Sequence, residues 1–122
     1  MSSDSYRQCY EGLQAQLEGL LHTITQPDES NVSLSAALKE LQAYFQREVM
    51  ALEVDALAAD KTSQVLSHRT EMHKQLRLLK MDAMFLQAAR QSATTQQRLK
   101  QVRERLQLLL EGCQAILSGP EM

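Results

Sequence analysis

Apolar residues recur at steps of three and four through four separate segments of this chain, and no other feature limits its fold as tightly. The first stripe is Tyr6, Tyr10, Leu13, Leu17, Leu20 and Ile24; the second is Leu34, Leu38, Leu41, Phe45, Val49 and Leu52. The third is Val65, Met72, Leu76, Leu79, Ala83 and Leu86; the fourth is Leu99, Val102, Leu106, Leu109, Cys113 and Ile116. This spacing puts each set on one side of a helix, and it predicts helices over about 4–24, 33–54, 61–90 and 94–117. Between them stand polar breaks. Pro27 lies in a loop over 25–31, and Ser33 or Ser35 is placed to cap the second helix. A break falls between Val54 and Thr62, where Asp60 or Thr62 would cap the third helix. Residues 91–95 form a short turn, with Thr94 and Gln97 matching a capping box, and Ser118, Gly119 and Pro120 stop the last helix.

Short connections between long helices make neighbours antiparallel. The expected architecture is all-α, an up-down-up-down four-helix antiparallel bundle in one domain over 1–122. It is either complete alone or completed and extended by dimerisation. Composition agrees: the 122 residues hold only four Gly and two Pro, and no Trp. Too few turn glycines and β-branched runs remain for a sandwich or a Rossmann-type sheet. No apolar run approaches the roughly 20 residues that span a bilayer. The N-terminal MSSDSYRQCYEG shows no basic stretch leading into an apolar one, so the expected location is the cytoplasm, without membrane insertion.

The net charge of −2 hides an asymmetry. Residues 1–68 carry four Lys or Arg against ten Asp or Glu; residues 69–105 carry nine against three. An acidic front half beside a basic third quarter fits helix pairs that attract across a rim. It also fits a basic surface for an acidic partner. Nucleic acid is the weaker reading, because a pI near 5.9 lies far below that of ordinary nucleic-acid-binding domains.

The third helix has more apolar surface than its own stripe uses. At about 100° per residue, Ala88, Met81, Phe85 and Leu78 lie roughly 100–180° round from Arg69, on the far side from the core stripe. Arg69, His73, Arg77 and Lys80 form a basic ribbon between the two faces. Two readings stand open. Either this helix is central and both faces are core, or the far face is a protein interface with a cationic rim. On the second reading the interaction residues are Arg77, Leu78, Lys80, Met81, Phe85 and Ala88.

Chemistry-bearing motifs are missing. His22, His68 and His73 form no HExxH and no Glu-x-x-His pair, so neither a zinc nor a di-iron site is expected. Phosphate-cradling glycine patterns and a nucleophile elbow are also missing, so no cofactor and no catalytic residue is expected and the chain reads as a non-enzyme. Cys9 and Cys113 fall at the same end of an antiparallel bundle, but a reducing compartment disfavours a disulfide.

Several runs in the back half carry a resemblance: LRLL at 76–79, Met81–Asp82, FLQAAR at 85–90, RLQLL at 105–109 and CQAI at 113–116. They resemble the PatD family, small cyanobacterial proteins that control heterocyst frequency. The resemblance covers less than half the chain. It implies a non-enzymatic cytosolic regulator whose partner is the tubulin-like cell-division GTPase, linking division to heterocyst differentiation. A self-associating helical adaptor without that partner, or a nucleic-acid-binding regulator using the basic 69–105 segment, are the alternatives.

Overall fold

A computed structural model of the chain describes residues 2–24, 31–52, 59–88 and 91–118. Helix α1 spans Ser2–Ile24, α2 Asn31–Tyr44, α3 Ala59–Ala88 and α4 Ser92–Leu117. A π-helical turn, Phe45–Val49, extends α2. The four helices form an antiparallel bundle. α4 packs against both α1 and α3, and α2 closes the ring between α3 and α1. Hydrogen bonds across the seams fix the directions. Arg7 at the start of α1 donates to the Leu117 carbonyl at the end of α4 (3.1 Å). The Tyr44 hydroxyl donates to the Cys9 carbonyl (2.7 Å), and the Gln42 amide to the Leu76 carbonyl (3.1 Å).

The core is the set of stripes read from the spacing. Leu17, Leu41, Leu76, Leu79, Leu106 and Leu109 are all buried, with Tyr6, Tyr10, Phe45, Val65, Met72 and Ile116 among them. Each large side chain removed from water contributes about 1.5–3 kcal/mol toward offsetting the entropy of ordering the helices. The packing is close. A Cβ on Gly12 would run into the Tyr44 hydroxyl, so glycine there lets Tyr44 reach the α1 backbone.

The helix ends depart from expectation in three places. α2 leaves α-helical geometry at Phe45, well before residue 54. The Met50 amide bonds back to the Phe45 carbonyl (2.9 Å), which inserts one residue into the turn and keeps both Phe45 and Val49 buried. Arg69 of α3 then donates to the Val49 and Leu52 carbonyls (3.4 and 3.3 Å). A cation at those carbonyls is the favourable charge for a helix C-terminus.

α4 starts at Ser92, so Thr94 lies inside its first turn and cannot cap it. Gln91 is the capping position, in extended backbone, and its carbonyl accepts the first helical bond from Thr95 (3.0 Å). α2 likewise begins at Asn31, which puts Ser33 and Ser35 inside the helix. The loop expected over Pro27 and the break expected over 54–62 lie largely outside the described residues.

Cys9 and Cys113 are free thiols buried in the core. Burial pushes them up to about 11 and about 12 respectively, which keeps them protonated near neutrality.

Candidate outer-face docking site on α3

α3 is not central. Its buried side, including Leu76, Leu79, Asp82, Ala83 and Leu86, faces the bundle, and the opposite side faces solvent. On that solvent side Met81 and Phe85 are each 48% exposed and Met84 is 63% exposed. Ala88, Arg77 and Lys80 are exposed beside them, and Leu78 is half-buried. All six residues expected on this surface therefore lie on or along it. The reading in which both faces of α3 are core is overturned. α4 and α2 pack against the buried side, and among the described residues none covers the other.

Two crevices border the row. On the α2 side, His73, Arg77 and Lys80 meet Gln42, Phe45 and Gln46. The His73 ring lies 6.3 Å from Phe45. On the α4 side a larger cavity of about 300 Å³ has Met72, Leu109 and Gly112 in its lining, with Glu71 and Glu111 at its edges. Leu108 of α4 is 51% exposed at the same edge. Glu71 accepts from the Gln75 amide (2.8 Å) and faces Lys74 (3.7 Å); these partners hold its carboxyl below the usual range.

A polar cluster that sequence reasoning missed supports the patch from beneath. Asp82 is buried between α3 and α4. It accepts from Arg105 Nε (2.5 Å) and faces Arg98 Nη1 (3.8 Å). Arg105 also donates to the buried Gln75 side chain (3.2 Å). Arg98 sits over the Phe85 ring, 4.5 Å from its centroid, so one guanidinium ties the exposed aromatic to the buried acid. The signal was present: an acid among the core stripe of α3, and two arginines seven apart on α4. The basic ribbon also divides. Arg69 is half-buried at the end of α2, while Arg77 and Lys80 remain on the surface. With Arg69 and Arg105 turned into the bundle and Arg98 paired with Asp82 at its edge, the 69–105 segment offers solvent less positive charge than its composition suggests.

The family model that matches this sequence is described as the CRR41 C-terminal domain, and the match runs over residues 13–113. The chain belongs to that family. No curated protein and no solved structure gives a significant match. The CRR41 C-terminal domain match spans the runs at 76–79, 81–82, 85–90 and 105–109 on which the PatD resemblance rested and reaches the first residue of the run at 113–116, and that resemblance does not hold. The expected cyanobacterial heterocyst role and the tubulin-like division GTPase partner fall with it. The structure explains the misreading. Leu76, Leu79, Leu86, Leu106, Leu109, Cys113 and Ile116 are core positions at helical spacing, which unrelated bundles share. Among the described residues of this CRR41-type domain, no three His, Cys, Asp or Glu side chains gather as metal ligands would, and no helix is long and apolar enough to cross a membrane.

Proposed function

We propose that this chain is a self-associating helical module without catalysis of its own, and that its docking surface is the outer face of α3. One observation carries this reading: Met81, Met84 and Phe85 stand about half in water or more, in one row, on a helix whose other side is fully used in the core. A contiguous apolar row on a soluble bundle is the ordinary mark of a protein interface. Methionine suits such a surface because its unbranched, polarisable chain adapts to what it meets. Arg98 over the Phe85 ring restricts that side chain before any partner arrives, which lowers the ordering cost of docking.

The non-catalytic part rests on the thiols. Both cysteines are buried and protonated near neutrality, which is a poor state for a nucleophile.

The test is sedimentation equilibrium of the wild type beside Phe85→Glu, with circular dichroism as the control on folding. The wild type should associate in the micromolar range. Phe85→Glu should keep the helical spectrum and become monomeric, because it removes the aromatic anchor and brings a charge, beside Arg98, into a contact that must be dry. A variant that unfolds would put Phe85 in the monomer core. A variant that associates like wild type would remove this face from the function.

A further inference from the structure

The outer face of α3 is lopsided in charge, and that decides how a second copy can lie on it. Its seam runs Glu71, Lys74, Leu78, Met81, Phe85 and Ala88, in steps of three, four, three, four and three, as in one strand of a coiled coil. The edge toward α2 is cationic, with Arg77 and Lys80 exposed. The edge toward α4 is net anionic: Glu71 and Glu111 at the cavity, with exposed Glu104 one turn before Leu108 on the same side of α4, outnumber exposed Lys100.

Two closed arrangements of two copies can bury this seam. A two-fold axis across α3 makes the helices antiparallel and lays each edge against its own copy, cation on cation and acid on acid. A two-fold axis along α3 makes them parallel and lays the cationic edge of one copy on the anionic edge of the other. Like charges opposed at an interface are costly, and opposite ones set orientation.

We infer that two copies of this chain pair through parallel, in-register α3 helices, with Leu78, Met81, Phe85 and Ala88 each meeting its own counterpart and Arg77 of each copy facing the acidic α4 edge of the other. This rests on the self-association reading above. The Arg77 level fits: the Asp82–Arg98 and Gln75–Arg105 pairs set the α3–α4 register, which brings Glu104 level with the middle of α3 close to Arg77. At the N-terminal end of the seam, the two Glu71–Lys74 pairs come side by side, where each acid can face the other copy's lysine.

The experiment joins a cross-link to a charge swap. Ala88→Cys should cross-link to itself under a short bis-maleimide, while wild type, whose own thiols are buried, should not. Arg77→Glu should weaken self-association about tenfold by placing acid on acid, and Arg77→Glu with Glu104→Arg should restore it. An Arg77→Glu variant that associates more tightly would mean that like edges face each other, and would overturn the parallel arrangement. So would failure of Ala88→Cys to cross-link in a protein that associates and that Phe85→Glu dissociates; the docking face would then stand and only its geometry would fall. A wild type that stays monomeric at millimolar concentration would end both readings.

Discussion

Asp82 shows how one residue joins stability to the surface. It is a buried acid between two arginines of unequal standing: the Arg105 side chain is 18% exposed and that of Arg98 is 37% exposed. Removing the acid leaves Arg105 without its charge partner in a place water barely reaches, and breaking such a pair costs roughly 3–5 kcal/mol. Asp82→Ala should therefore lower the urea midpoint by a corresponding amount. Arg98→Ala removes a half-exposed pair and a cation–π contact, each worth no more than about 1 kcal/mol, so its fold should survive. Equilibrium unfolding of the two variants separates them; equal losses would mean that Arg98 and Arg105 share the buried charge evenly.

The buried thiols and phenols make a further statement at this scale, about pH. Desolvation raises Cys9 to about 11, Cys113 and Tyr44 to about 12, and Tyr6 and Tyr10 also upward. In the unfolded chain the thiols lose their protons near 9 and the phenols near 10. Above those values the unfolded chain binds fewer protons than the folded one, so stability falls as pH rises. Below about pH 9 these groups are neutral in both states and contribute no slope. Urea midpoints should accordingly be level from pH 7 to 8.5 and drop between pH 9 and 11. A midpoint that holds through pH 11 would mean that these side chains are solvated in the native state.

At the scale of elements, the stripes were legible because burial selects for apolar side chains at every third or fourth position, and each bundle helix needs one such face. The ends were less legible. The π turn at Phe45–Val49 adds one residue to a backbone turn, and nothing in residue type marks it. Both Phe45 and Val49 fit an unbroken α-helical stripe equally well until Arg69 is seen on the Val49 and Leu52 carbonyls. The start of α4 is hard to read because Thr94 and Gln97 have the chemistry of a cap, whereas the helix begins two residues further back, with Gln91 at the capping position.

The second face of α3 was visible in its sequence spacing, but its meaning was not. A doubly apolar helix is central in some bundles and peripheral in others, and only the positions of α2 and α4 decide. Asp82 was read as one letter of a family-like run because its partners, Arg98 and Arg105, become neighbours only when α3 and α4 pack antiparallel.

For the whole molecule, the bundle places its two kinds of surface at different addresses. α1 shares its long seam with α4, and α2 closes the other side, so three helices are held by their neighbours along their apolar faces. Among the described residues, α3 alone carries a large apolar row in excess of that need. The chain's charge asymmetry ends up as an edge effect around that row, because several of the arginines that make the third quarter basic turn inward. A self-associating module follows from this layout more directly than a charged groove for nucleic acid does.

The account turns on whether the outer face of α3 is covered when copies meet, and methionine oxidation reads that residue by residue. Met81 and Met84 stand on the face, Met50 is 40% exposed beside Arg69, Thr70 and His73, beyond the N-terminal end of the apolar row, and Met72 is buried. Brief peroxide treatment at low and at high protein concentration, followed by peptide mass spectrometry, should show Met81 and Met84 oxidising several-fold more slowly at high concentration. Met50 should be unchanged, and Met72 should be slow throughout. Equal rates for Met81 and Met84 at both concentrations would leave that face in water and contradict the account.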